Sequence, residues 1–108
     1  MALHWDVIGA PSSAGAHTPG VERAPGALRE AGLMDLMKRG RDVADLGDVP
    51  GFRWRPDPPN ARSQNAPAVV RVAASIAEQV AQSVWRHRVP LILGGDCTVT
   101  IGLVAGHA

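Results

Sequence analysis

The chain is 108 residues long, which is enough for one domain with a modest core and too short for two. Eleven Lys and Arg residues stand against ten Asp and Glu residues, so the net charge of +1 gives no electrostatic basis for binding nucleic acid or an acidic membrane surface. A single cysteine excludes an internal disulfide, and no apolar run approaches the roughly 20 residues that span a bilayer. We therefore expect a cytoplasmic protein without a membrane or nucleic-acid partner.

The first predicted strand is a short, apolar-leaning run at residues 4–11, which a Gly and a Pro bring to an end. Residues 12–24 are rich in Gly, Ser and Pro, and they are too many for a tight hairpin. They predict a loop that leaves the carboxyl end of this strand.

A helix is predicted next, at residues 25–39, because Pro25 suits a first helical position and apolar residues recur along one face. Gly32 is expected to kink or divide this helix, and Gly40 is expected to end it. Residues 41–48 hold few apolar side chains between charged flanks, so they predict a short edge strand.

The stretch 49–67 is interrupted by five prolines and predicts one long irregular connection. It is not a domain boundary, because too few residues remain on either side for two cores. Residues 68–87 then carry apolar side chains at steps of three and four, which predicts a long amphipathic helix.

A short apolar run at residues 90–93 predicts a last strand, covered on both faces in a parallel sheet. Gly94 and Gly95 allow a sharp turn where a Cβ would clash, and residues 99–105 resume an apolar pattern typical of a helix packed on a sheet. Strand and helix therefore alternate three times along the chain. This order predicts an α/β fold with right-handed crossovers and a parallel sheet of three strands.

Chemistry is expected at the turn between the last strand and the last helix. Asp96 and Thr98 are residue types that accept hydrogen bonds from free N–H groups at a helix start. Cys97 lies between them, at the carboxyl end of a strand, where ligands bind in open α/β sheets. His17, in the loop after the first strand, is predicted to lie at the same end of the sheet and to line a pocket there.

Four motifs follow one another along the chain: G-A-P at 9–11, P-G-V-E-R-A-P-G-A-L-R-E-A-G-L at 19–33, D-V-A-D-L-G-D at 42–48 and L-I-L-G-G-D at 91–96. In this combination the chain resembles the N-terminal part of the arginase and agmatinase (ureohydrolase) family over nearly all of its length. The resemblance implies a three-layer α/β fold with a mostly parallel sheet, of which residues 1–108 would be a single portion holding the first three strand–helix units. It also implies a hydrolase in which two manganese ions activate a bridging hydroxide, which attacks a guanidinium or amidine carbon.

The family pattern at the turn is Gly-Gly-Asp-His, whose His is a metal ligand, and Cys97 stands at that position here. By this resemblance Cys97 is the only metal-ligand position in the chain, and the family's other ligands would follow residue 108. A thiolate prefers zinc, iron or cobalt to manganese, so these three metals are alternatives. A competing hypothesis is that Cys97 is a small buried residue that fills space behind the turn. Gly94, Gly95 and Asp96 are predicted to shape the turn, with Asp96 orienting the ligand beside it rather than binding metal.

The remaining charged residues are assigned structural roles. Asp45 and Asp48 are predicted to be solvated surface. Four charged residues around the first helix are predicted to serve only its start: Glu22, Arg23, Arg29 and Glu30. His4, His87 and His107 show no metal-ligand spacing and are predicted to be surface or packed histidines.

The predicted function is that of the N-terminal segment of an arginase-like, metal-dependent hydrolase, which cleaves C–N bonds of a small guanidino substrate and is inactive alone. Its expected partners are further copies of itself or a missing C-terminal half. One alternative is a non-catalytic relative that acts in binding or assembly, with a structural Cys97 turn. A nucleotide-binding half-domain is disfavoured, because the first strand leads into P-S-S-A-G-A-H and not into a Gly-rich phosphate loop.

Overall fold

The computed structural model describes residues 3–108. Its elements, in chain order, are β1 (His4–Gly9), α1 (Ala24–Glu30), α2 (Leu33–Met37), β2 (Asp42–Asp48), α3 (Ala66–Trp85), β3 (Val89–Leu93) and α4 (Val99–His107), with short 3-10 turns at Val21–Arg23 and Pro58–Asn60. The predicted alternation of strands and helices is confirmed. Within the described residues, no helix combines the length and the apolar character needed to cross a membrane.

The three strands form one parallel sheet in the order β2-β1-β3. In the central strand, Asp6 lies opposite Ala44 of β2, and Val7 lies opposite Leu91 of β3. The prediction that β2 is an edge strand is thereby confirmed. Because the strands are parallel, their carboxyl ends lie at one edge of the sheet, which we call the carboxyl edge, and the loops that follow the strands meet there.

The strand β3 has a partner strand on one side only among the described residues. Both α1 and α3 contact it, as the prediction of cover on both faces requires. The cover is incomplete, however, since only Leu93 is buried and the other residues of β3 are half-buried.

The core lies between the sheet and α3. Side chains alternate along β1, so that Asp6 and Ile8 face α3 while Val7 and Gly9 face α1. The buried members of the core are Ile8, Ala10, Val49, Val72, Ile76 and Val80. Its three members on α3 are four residues apart and thus share one helical face, as the predicted amphipathic pattern requires. Burying each such side chain stabilises the fold by about 1.5–3 kcal/mol.

Two glycines let α4 pack closely against α3. A Cβ on Gly102 would lie 2.5 Å from the carbonyl oxygen of Ala73, and a Cβ on Gly106 would lie 2.6 Å from the Cβ of Val80. Since the interior of a protein is already close-packed, neither position has room for a side chain without a shift of its neighbours.

The predicted helix at residues 25–39 is divided, as expected from Gly32. The first segment, α1, ends at Glu30, and α2 begins at Leu33. Gly32 has a φ of 97°, in the left-handed region that only glycine adopts without steric cost.

Arg29 of α1 binds two carboxylates at the end of β2. Its Nη2 lies 2.9 Å from Oδ1 of Asp45, and its Nη1 donates to Oδ1 of Asp48. Asp45 and Asp48 are exposed, as predicted, but their pairing with Arg29 was not predicted. The prediction of Arg29 as a charge that serves only the helix start is wrong, because the fold places α1 beside the carboxyl end of β2 and brings the guanidinium within reach of both carboxylates.

A buried carboxylate, Asp6, is paired on the α3 side of the sheet. One of its oxygens accepts a 2.5 Å hydrogen bond from Nε of Arg88, and the other accepts a 2.8 Å bond from the hydroxyl of Ser83. Arg88 also donates to the carbonyl oxygen of Trp5 at 2.9 Å. A charge that is 1% exposed is tolerated in this position because its partners satisfy both oxygens.

Candidate functional site

The loops that follow β1, β2 and β3 are joined by backbone hydrogen bonds at the carboxyl edge. The N–H of Phe52 donates to the carbonyl of Pro11 at 3.1 Å, and the N–H of Ser13 donates back to Phe52 at 2.8 Å. The N–H of Asp96 donates to the carbonyl of Ser12 at 3.1 Å. The first loop therefore lies between the other two and contacts both.

Both carboxylate oxygens of Asp96 accept hydrogen bonds that hold the turn and the loop after β1 in place. Oδ1 accepts from the N–H of Thr98 at 2.8 Å and from the Thr98 hydroxyl, and Oδ2 accepts from the N–H of Gly15 at 3.0 Å. These are the bonds that a turn-shaping residue needs, since they satisfy a free N–H near the start of α4 and tie the turn to the loop after β1. The role of Asp96 beside a metal stays a prediction.

Gly94 and Gly95 are required by close approach at this turn. A Cβ on Gly95 would overlap the carbonyl oxygen of Ser12 and lie 2.9 Å from that of Ala10. A Cβ on Gly94 would lie 2.9 Å from a methyl group of Val99. Neither glycine has a positive φ, so the constraint is the space for the side chain and not the backbone conformation.

Cys97 is exposed at the turn. The hypothesis of a small buried cysteine that fills space behind the turn is therefore wrong for residues 3–108. The reason is that the contacts behind the turn are made by Asp96 and the two glycines, which leaves the next side chain outside. Its role as a metal ligand stays a prediction.

The described residues do not by themselves fit a pair of manganese ions. Across residues 3–108, no group of three or more His, Cys, Asp or Glu side chains is placed to hold a metal ion. Cys97 would supply one soft ligand, and the neighbouring Asp96 carboxylate is already engaged in hydrogen bonds. Manganese prefers carboxylate, imidazole and water, so this donor set is also of the wrong chemical type.

His17 lies on the loop that Asp96 holds, two residues beyond Gly15, and its side chain is exposed. The structure thus brings this loop to the same edge of the sheet as the turn that carries Cys97. That His17 lines a pocket there stays a prediction.

A second group of residues at the carboxyl edge was not indicated as functional by the sequence: Ser13, Gly20, Glu22 and Trp54. The fully buried Ser13 donates its hydroxyl to Oε1 of Glu22 at 2.9 Å and accepts from the N–H of Trp54 at 2.7 Å. Oε1 of Glu22 also accepts from the N–H of Gly20 at 2.6 Å. The prediction of Glu22 as a charge that serves only the helix start is therefore wrong, because its side chain turns back onto the preceding loop.

The environment of Glu22 favours its ionised form. Its pKa lies below the usual value, chiefly because the Gly20 N–H donates to the carboxylate. Burial opposes this shift, and the hydroxyl of Ser13 and the charge of Arg53 reinforce it. The only sequence signal for this role is the position of a Glu two residues after a Gly, in a loop that must fold back on itself.

Comparison with known proteins finds a match to the family model described as Arginase family over residues 4–108. Human arginase-1 is 39% identical to the chain over 103 residues, which cover 94% of the chain and 32% of that protein. The solved structure of arginase from Bacillus caldovelox superposes with a TM-score of 0.82 at 35% identity, over 96% of the chain and 36% of that structure. Arginase from Bacillus subtilis superposes with a TM-score of 0.81 at 32% identity, over 96% and 34%. The chain thus spans about a third of the length of the relatives that it matches.

Proposed function

The chain belongs to the arginase family, and on this premise we propose that it forms part of a hydrolase that cleaves a C–N bond of a small guanidino compound. The observation that supports the proposal is the turn at residues 94–98, which lies at the carboxyl edge of a parallel sheet and is bonded through Asp96 to the loop after β1. This edge is where open α/β sheets bind their ligands.

In this proposal the chain's own residues shape the site. Gly94 and Gly95 let the turn approach the loop after β1, and Asp96 fixes the two together. Cys97 is exposed while its neighbours in the turn are half-buried, so its thiol is open to a metal whose other ligands come from outside residues 3–108. A thiolate favours zinc, iron or cobalt over the manganese expected of the family.

We propose further that activity requires completion of the site by a partner, which is either the remaining part of the family's fold or a further copy of the chain. One thiolate cannot hold two metal ions at the separation of roughly 3.5–4 Å that a bridging hydroxide needs. Two features are proposed as sites of completion: the edge of β3 that has no partner strand among residues 3–108, and α4, where Ile101 is 56% exposed and Val104 is 64% exposed. An unpaired strand edge and exposed apolar side chains are each suited to contact with a partner.

Urea release tests this proposal. The chain would be assayed alone and after fusion to the remaining part of Bacillus caldovelox arginase, with arginine, agmatine and guanidinobutyrate as substrates and with manganese, zinc and cobalt offered separately. We expect no turnover from the chain alone and metal-dependent release of urea from at least one substrate by the fusion. The intact Bacillus caldovelox enzyme is the matched control. A folded fusion that is inactive with every metal would instead favour the non-catalytic alternative.

A further inference from the structure

Glu22 has a buried oxygen that the described residues leave without a partner. Its Oε2 is the one buried side-chain polar atom in residues 3–108 that has no hydrogen-bond partner. Arg23 approaches this oxygen, but its Nε stays 3.9 Å away, beyond hydrogen-bond distance. Leaving a buried polar atom unpaired destabilises the fold. We therefore infer that the hydrogen bonds at the other oxygen, Oε1, hold the carboxylate in this position.

Those bonds join Glu22 to two separate parts of the loop after β1. Oε1 receives the N–H of Gly20, close to Glu22 in the chain, and the hydroxyl of Ser13, which lies at the beginning of the loop. Ser13 in turn receives the N–H of Trp54 from the loop after β2. One carboxylate oxygen therefore closes the loop after β1 upon itself and connects it to a second loop.

The same loop carries the residues that hold the Asp96 turn. Ser12 accepts the N–H of Asp96 at 3.1 Å through its carbonyl, and Gly15 donates to the Asp96 carboxylate at 3.0 Å. Ser13 lies between these two residues in the chain. A displacement of Ser13 must therefore move at least one of the two bonds that fix the turn.

We propose that Glu22 is a positioning residue of the carboxyl-edge site, which fixes residues 12–15 through Ser13 and thereby sets the place of the Asp96 turn and of Cys97. The structural part of this inference stands on the hydrogen bonds alone. Its consequence for catalysis rests on the function proposed above.

Amide hydrogen exchange tests the structural part on the chain itself. In Glu22→Ala we expect the N–H groups of Gly15, Trp54 and Asp96 to exchange at least about tenfold faster, with the amides in the middle of α3 unchanged. Glu30→Ala is the matched control, since Glu30 is an exposed glutamate of α1. Faster exchange of Gly20 alone would overturn the inference, because the effect would then stop at the direct contact. If Glu22→Ala does not fold, Ser13→Ala replaces it with the same expectation at Gly15 and Asp96, and Glu22→Gln, whose amide oxygen can still accept from Gly20 and Ser13, should show a smaller increase at both.

Kinetics on the fusion with the Bacillus caldovelox enzyme tests the catalytic part. In Glu22→Ala we expect kcat to fall at least about tenfold with KM changed less than about twofold, because Glu22 orients the site without touching substrate. Glu22→Gln should recover part of kcat, since its amide oxygen can still accept from Gly20 and Ser13. Unchanged kcat per folded molecule would reject the positioning role. If the unsubstituted fusion has no activity, the proposed function fails, and the exchange measurement still decides the role of Glu22.

Discussion

The carboxylate of Asp96 accepts a 3.0 Å hydrogen bond from the backbone N–H of Gly15, which lies 81 residues earlier in the chain. This bond links the loop after the central strand to the turn after an edge strand. Together with the bond from Asp96 N–H to Ser12, it makes the two loops one structural unit. The geometry of the turn that carries Cys97 therefore depends on a contact between the beginning and the end of the described chain.

Replacing Asp96 should loosen this unit. Asp96→Asn is expected to lower the free energy of unfolding by about 1–3 kcal/mol, because an NH₂ group in place of one oxygen cannot accept from Gly15 or Thr98. Urea denaturation measures the change. Asp35→Asn, at an exposed aspartate of α2, is the control and should change stability by less than about 0.5 kcal/mol. Equal stability of the Asp96 and Asp35 variants would contradict the role assigned to the turn.

The close contact of α4 with α3 should not tolerate a methyl group. Gly102→Ala and Gly106→Ala are each expected to destabilise the chain by about 1–3 kcal/mol, because a Cβ would meet Ala73, Ile76 or Val80. Gly26→Ala is the control, since a Cβ at that position of α1 meets nothing within 4 Å. It should stabilise by about 0.4–1 kcal/mol through a lower entropy of the unfolded chain. Thermal unfolding of the three variants gives the comparison, and similar midpoints for all three would refute the packing argument.

Acid should weaken the contact of α1 with β2. Burial raises the pKa of Asp45. The hydrogen bonds from Arg29 and Gly47 together outweigh this effect, so the pKa of Asp45 lies below its usual value. A carboxylate whose pKa is lower in the folded state stabilises the fold above its unfolded pKa, and this contribution is lost as the pH falls through the folded value. We expect part of the free energy of unfolding to disappear below a pH of about 4. Urea denaturation between pH 7 and pH 3 should show a shallower acid dependence for Asp45→Asn than for the unsubstituted chain or Asp35→Asn, and identical pH profiles would contradict the assignment.

Substitution of Cys97 distinguishes a metal ligand from a packing residue. In the fusion with the Bacillus caldovelox enzyme, Cys97→His is expected to raise manganese occupancy relative to zinc and cobalt, because imidazole suits manganese better than a thiolate does. In the chain without the fusion, stability should change by less than about 0.5 kcal/mol, since the exposed Cys97 side chain has room for the larger ring. Metal content and thermal midpoint should be measured together, with Cys97→Ser as the control. A clear loss of stability with unchanged metal selectivity would show that the residue packs rather than binds.

The edge of β3 that lacks a partner strand within residues 3–108 should make the chain associate. At micromolar concentration we expect oligomers in size-exclusion chromatography or binding of a hydrophobic dye, because β3 has a partner strand on one side only among residues 3–108 and α4 exposes apolar side chains. The double variant Ile101→Lys and Val104→Lys should reduce this association. Val70→Lys is the control, since Val70 is 66% exposed on α3. A compact monomer that binds no dye would rule out the proposed surface.

Elements with a local signal could be predicted from the sequence. The long helix α3 follows from apolar residues at steps of three and four, and the division of the first helix follows from Gly32. The parallel sheet follows from the order of strands and helices, since a crossover through a helix places the next strand parallel. The motif at residues 91–96 placed the candidate site at the carboxyl edge, because the strand and the turn are adjacent in the chain.

Pairings between side chains far apart in the chain were decided by the tertiary structure. Arg88 reaches the buried Asp6 from 82 residues away, Arg29 reaches Asp45 from 16 residues away, and Ser13 receives the N–H of Trp54 from 41 residues away. No period or turn rule relates such positions, because each pair exists only once the strands have aligned and the helices have covered them. The exposure of Cys97 has the same origin: its sequence allowed either a buried or an open thiol, and the contacts that Asp96 and the glycines make across the carboxyl edge leave it outside.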